Sequence, residues 1–273
     1  MKILFGLFIS VLLVSCSSKF EKILKSTDYE FKLKKADELY ANKKYKQAEE
    51  LYLELFPVFK GTDKFEDLYY KFAYASYYQH NYEESENNFK GFLEVFPNSP
   101  KADEIAFLHA YTFYLQSPKV ELDQTNTLKA IGMMQTFINT HPGSLKIKEA
   151  NDVIDKCRAK LESKEYRSAA LYYKLQQYRA AGLGFSNLLF NYPESASGEE
   201  YKLMSIKSYY EFARLSVPDK QEERYEKVTT EYNDFTDRYP DSKLLKEAES
   251  YSNQSINHIK EIKNEQIKTP AER

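Results

Sequence analysis

Apolar and small residues return along this chain at a helical interval. From Tyr178, the positions Ala181, Phe185, Leu188 and Tyr192 follow at offsets of 3, 7, 10 and 14, and Pro193 comes next. That spacing lines one face of an α-helix. The same template reads from Tyr45 (Ala48, Tyr52, Leu55, Phe59), Tyr82 (Ser85, Phe89, Phe92, Phe96), Thr127 (Ala130, Met134, Phe137, His141) and Tyr225 (Val228, Tyr232, Phe235, Tyr239). A proline follows the last position in every copy but the first, where Lys60 stands and Pro57 comes early. Proline lacks an N–H and restricts the residue before it, so it predicts the end of each helix. A serine follows two residues later, as in Pro97-Asn98-Ser99, Pro142-Gly143-Ser144, Pro193-Glu194-Ser195 and Pro240-Asp241-Ser242. Serine there can accept the orphan N–H groups of the next helix.

A small residue, Ala36, Ala73 or Ala169, lies nine residues before the first position in three copies. With it, the pattern resembles the tetratricopeptide repeat: a helix A, a short turn, and the helix B of the template. The predicted fold is all-α, a right-handed solenoid of about five tetratricopeptide-like helix pairs. Successive copies start 37, 45, 51 and 47 residues apart, more than the repeat's usual 34 or so. Extra residues are expected in the polar stretch Ser117–Asn126 and around Ser216–Glu223. Leu145–Gln177 holds no Pro or Gly, which predicts a long or doubled helix. The array is placed at residues 28–250, and 251–273 is a charged C-terminal extension.

The N-terminus reads differently. Lys2 precedes an apolar run from Ile3 to Val14. Its twelve residues would span roughly 18 Å as a helix, too short for a hydrocarbon core of about 30 Å. A charged start, a short apolar middle and small residues mark residues 1–15 as a signal peptide. Leu13-Val14-Ser15-Cys16 resembles a bacterial lipobox, which implies cleavage before Cys16 and covalent lipid on it. Residues 16–27 would then be a lipidated tether. By resemblance to other lipoproteins, Ser17 favours the outer membrane.

Charge and composition narrow the chemistry. Removing residues 1–15 takes one lysine and leaves a net charge of −3, without the basic excess of a nucleic-acid binder. The sequence has 24 Tyr, 18 Phe and no Trp, which suits helices spaced by aromatic rings and lacks the Trp platforms common in glycan capture. His80, His109, His141 and His258 are scattered, so no metal site is expected. Cys157 follows Val153 and Ile154 at helical spacing and reads as a core residue. Gly182 and Gly184 sit inside a helix with no preceding strand, so they predict close packing rather than a phosphate loop. No nucleophile motif occurs, no catalytic residue is assigned, and no cofactor is expected beyond the lipid on Cys16.

One segment invites a ligand. In Asp67–Asn81, Tyr70, Tyr74 and Tyr77 share a face of helix A. In tetratricopeptide arrays such positions line a concave groove. Tyr40, with Asp37 one turn earlier, holds the equivalent place in the first pair, and Tyr111 and Tyr114 extend the row. Tyrosine offers a flat apolar face with a polar tip, suited to an extended peptide. Asp37, Tyr40, Tyr70, Tyr74 and Tyr77 are therefore the candidate peptide-binding groove. Packing of the same rings between neighbouring helices is the competing reading.

The lipobox, the five pairs, and the segments Ala169–Ala181 and Ala75–Ser85 together resemble the BamD family of β-barrel assembly lipoproteins. The resemblance implies a chain on the periplasmic side of the outer membrane, anchored by lipid. It implies a C-terminal half that binds a BamA-type insertase alongside other assembly lipoproteins, through a surface within Tyr178–Ser242. It also implies an N-terminal groove that receives unfolded β-barrel proteins. The longer Lys/Glu-rich end and Lys60 depart from the family. A repeat lipoprotein serving cell-wall enzymes or a secretion channel fits the same residues, and a lytic or hydrolytic enzyme would need turnover on peptidoglycan to be shown.

Overall fold

The computed structural model describes residues 19–268, so the expected signal peptide and the lipid site Cys16 lie outside the described residues. Among the described residues every regular element is helical. A short helix over 19–24 precedes α1 (Tyr29–Ala41), α2 (Tyr45–Phe59), α3 (Phe65–Tyr78), α4 (Tyr82–Val95), α5 (Ala102–Leu115) and α6 (Thr125–Thr140). Then come α7 (Ile147–Lys174), α8 (Tyr178–Asn191), α9 (Gly198–Arg214), α10 (Pro218–Arg238) and α11 (Leu245–Lys268).

The chain forms two compact units that divide after Cys157. In the first, each helix from α1 to α6 packs on the next; in the second, α8 packs on α9, α9 on α10, and α10 on α11. This consecutive pairing is how tetratricopeptide-like repeats stack. The template residues are what the pairs bury. Ala48, Tyr52, Leu55, Phe89, Phe92, Ala130, Met134, Ala181, Phe185, Leu188, Val228 and Phe235 have no exposed surface.

The long segment 145–177 folds as the single helix α7, which crosses the division. Ala150, Val153 and Cys157 of its first half join the core with Phe107, Ala130 and Met134. Leu161, Tyr166 and Ala169 of its second half join Ala181, Phe185 and Leu188. The helix thus closes one unit and opens the other. Residues 218–223, expected as an insertion, form the first turns of α10, with Pro218 at its start.

The aromatic-Pro-x-Ser junctions share one geometry. The residue before each proline leaves the helical region in the same way, at φ/ψ of −125/57 for Phe96, −126/59 for His141, −131/63 for Tyr192 and −132/59 for Tyr239. The clash of the following ring with a helical backbone imposes this. Each serine hydroxyl then accepts the N–H two residues on: Lys101 at 3.0 Å, and Lys146, Ser197 and Leu244 at 3.1 Å. It also donates to a carboxylate one helix pair earlier. Ser99 reaches Glu66 at 2.7 Å, Ser144 reaches Asp103 at 2.8 Å, Ser242 reaches Glu199 at 2.6 Å, and Ser195 bonds Glu162. These acids stand seven residues before Ala73, Ala110, Ile206 and Ala169. The second half of α7 therefore keeps the repeat register.

Within pairs the turn is equally regular. Lys43, His80 and Gln176 take left-handed φ of 59°, 60° and 59°. The next N–H groups close back on Leu39, Ser76 and Tyr172 carbonyls at 2.9, 3.1 and 2.9 Å, a Schellman ending. The boundary expected at residue 250 falls inside α11, where Tyr251, Ile259 and Ile262 pack against α9 and α10.

Candidate functional site

Helices α1, α3 and α5 carry the candidate groove residues in equivalent places, because Tyr40, Tyr77 and Tyr114 recur every 37 residues, as do Asp37, Tyr74 and Tyr111. Packing sorts them. Tyr74 is only 7 % exposed; its ring lies 5.6 Å from Phe89 and 4.7 Å from Tyr70, and its hydroxyl donates to Glu104. Tyr70 is half-buried, donates to the same carboxylate at 3.3 Å, and carries the Lys101 ammonium 4.3 Å over its ring. Tyr77 is half-buried, 5.9 Å from both Phe89 and Tyr82. Tyr40 meets Tyr45 at 5.5 Å and Tyr52 at 6.4 Å.

The link among them is a residue the sequence reading passed over. Tyr78 is 44 % exposed and contacts Tyr40 (6.3 Å), Tyr45 (4.8 Å), Tyr74 (5.5 Å) and Tyr77 (5.8 Å). Tyr40, Tyr70, Tyr74 and Tyr77 thereby join one aromatic cluster with an open face at Tyr78. Its adjacency to Tyr77 at the end of α3 was the available signal. Tyr111 lies in α5 beside Phe107 and Tyr114, at 5.5 and 5.4 Å.

Asp37 works differently. It accepts from the Tyr52 hydroxyl at 2.7 Å and from Lys71 at 2.9 Å. Lys71 also pairs with Asp67 at 2.7 Å, and Asp67 with Lys101 at 3.0 Å. The result is an alternating charge row from α1 through α3 to α5. Beside it, Glu30, Leu33, Lys34, Asp37 and Glu38 line a shallow depression of about 450 Å³.

Burial, and then its bond to Glu104, drives the Tyr74 hydroxyl far up. Burial and neighbouring phenols push Tyr77 up to about 12. Both are neutral donors at physiological pH. Burial alone would raise the Asp67 carboxyl, but Lys71 and Lys101 outweigh it and hold it low. The wall thus combines aromatic faces with fixed charges. Among the described residues no three metal-ligating side chains converge, and no helix is long and apolar enough to cross a membrane.

The second unit has its own concave surface. Arg179 and Leu183 of α8, Tyr209 and Phe212 of α9, and Arg224 and Lys227 of α10 line a cleft of about 590 Å³. Arg224 lies 4.1 Å over Phe212, and Lys227 lies 5.5 Å over Tyr209. On the same helix as Leu183, Phe190 is 85 % exposed. All of this falls within the expected partner surface Tyr178–Ser242.

A search of curated proteins gave no match. The model of the YfiO family, described as outer membrane lipoprotein, matches residues 27–226. The match covers most of the first unit and continues through α8, α9 and the start of α10. On the strength of that span, this chain belongs to the YfiO family of outer membrane lipoproteins.

Proposed function

We propose that this chain is a scaffold of the machinery that folds and inserts outer-membrane β-barrels. Lipid on Cys16 holds it to the outer membrane, facing the periplasm. The observation that carries the reading is the family match over a stack of helix pairs, behind a lipobox. The cleft and exposed apolar residues of the second unit serve a BamA-type insertase, alongside other lipoproteins of the assembly. The aromatic wall of the first unit, with Asp37, Tyr40, Tyr70, Tyr74, Tyr77 and now Tyr78, holds an unfolded barrel strand. The scaffold itself performs no bond chemistry and uses no cofactor.

Affinity purification from detergent-solubilised envelopes tests the assembly role. Stoichiometric recovery of a BamA-type insertase is expected; recovery of cell-wall enzymes or a secretion channel in its place would overturn the reading. The groove is tested separately with an aromatic-rich C-terminal barrel peptide. Tyr78→Ala removes the most exposed ring of the cluster and should weaken binding about tenfold, as loss of an aromatic anchor does. Unchanged affinity would remove the wall from the proposal. Tyr74→Ala is a poor probe, because emptying a buried aromatic site costs about 3 kcal/mol of stability.

A further inference from the structure

The short helix over 19–24 belongs to the folded domain. Phe20, Ile23 and Leu24 pack against the core of the first helix pair. The Leu24 carbonyl accepts from the Lys32 ammonium at 2.7 Å, and that buried ammonium also pairs with Glu54 at 2.8 Å. The segment expected to be a tether is therefore fixed in place from about residue 20. Two residues, Ser17 and Ser18, separate Lys19 from Cys16, and the three residue steps between them reach at most about 11 Å when extended.

Away from the packed side chains stand Lys19, Lys22 and Lys25, all exposed. Their three-residue spacing places them on the face opposite Phe20, Ile23 and Leu24. None forms an ion pair with a described residue, and Glu21 is the one acid between Lys19 and Lys25. Tyr29 and Phe31, 45 % and 41 % exposed, open the next helix.

We propose that this lysine face is a second membrane contact, seated on anionic phospholipid headgroups beside the lipid anchor. The proposal rests on the reading that Cys16 carries lipid. With that anchor in the bilayer, the spacer keeps Lys19 within about 11 Å of it, comparable with the screening length of physiological salt, roughly 8 Å, and the short helix lying along the surface brings Lys22 and Lys25 alongside. Each basic residue near an anionic surface strengthens attachment about fivefold. Two kinds of attachment then hold the first unit against the bilayer, where a free tether would let it swing.

The test uses the full mature chain, residues 16–273, with Cys16→Ser so that no lipid contributes. Its probe is sedimentation with vesicles of phosphatidylethanolamine and phosphatidylglycerol. The expected result is salt-sensitive binding that neutral phosphatidylcholine vesicles do not support. Combined Lys19→Gln, Lys22→Gln and Lys25→Gln should lower partitioning about tenfold or more, with the same thermal melt. The triple arginine variant should retain binding. Equal partitioning of the glutamine variant, or equal binding to neutral vesicles, would overturn the proposal. Mass spectrometry of the native chain extracted from membranes separates the two readings. Unmodified Cys16 there would refute the anchor, whatever the vesicles show.

Discussion

Replacing Ser99 by alanine removes two interactions at one atom. The hydroxyl accepts the Lys101 N–H at 3.0 Å and donates to Glu66 at 2.7 Å, tying the start of α5 to the start of α3. Losing the neutral hydrogen bond that holds this turn costs about 1 kcal/mol. A hydrogen bond to a charged group is worth about 1.5–3 kcal/mol, and partial exposure of this one reduces it to about 1. Ser99→Ala should therefore destabilise the protein by about 2 kcal/mol, a fall in midpoint of about 4–8 °C for a chain of this size. Glu66→Gln should cost about 1 kcal/mol, and the double variant little more than Ser99→Ala alone. The assay is urea unfolding followed by far-UV circular dichroism, run as a double-mutant cycle. A coupling energy below about 0.3 kcal/mol would refute the idea that the staple joins neighbouring pairs. Ser144, Ser195 and Ser242 make the same two bonds and provide replicates.

Two glycines should respond with opposite signs. A Cβ at Gly184 would lie 2.9 Å from the Ala169 Cβ, so Gly184→Ala forces α8 off α7 and should cost about 1–3 kcal/mol. Gly132, exposed within α6, has nothing within 4 Å, and Gly132→Ala should stabilise by about 0.5–1 kcal/mol; the thermal midpoints should move apart. Gln176→Gly relieves a left-handed side-chain residue at φ 59° and should raise stability by about 1 kcal/mol in the same melt. Lys202 is buried between Glu231 and Asp234, at 2.5 Å from each. Burial would raise both carboxyls, but their bonds to Lys202 and other cations outweigh it and hold them low. Folding lowers these pKa values, so the stabilisation is present above the ordinary carboxylate range and is lost as pH falls through the lowered values. Unfolding curves should weaken from about pH 4 downward, and Lys202→Met should be less stable at neutral pH with a shallower acid slope. An unchanged slope would refute the assignment.

The repeat is legible in the sequence because helix B must present small and aromatic residues at fixed intervals to its neighbours. Proline then ends each helix by covalent geometry. The five template copies, the long helix over 145–177 and the close-packing role of Gly184 follow from such local rules. The serine was readable as a start signal, but its hydroxyl holds the turn ahead of the helix and does not cap it: the N-caps of α5 and α9 are Lys101 and Ser197, neither with a side-chain cap bond. The serine's second partner was not readable: Glu66 lies 33 residues from Ser99, and only stacking of one pair on the next brings them together. Burial of Tyr74 and exposure of Tyr78 were equally out of reach. Both sit on helix A as tyrosines with similar flanks, and the choice depends on where α4 and α5 cover α3. Residues 16–27 read as a tether because they lie between the lipobox and the first repeat. Their three apolar side chains found a core that exists only once α1 and α2 have packed.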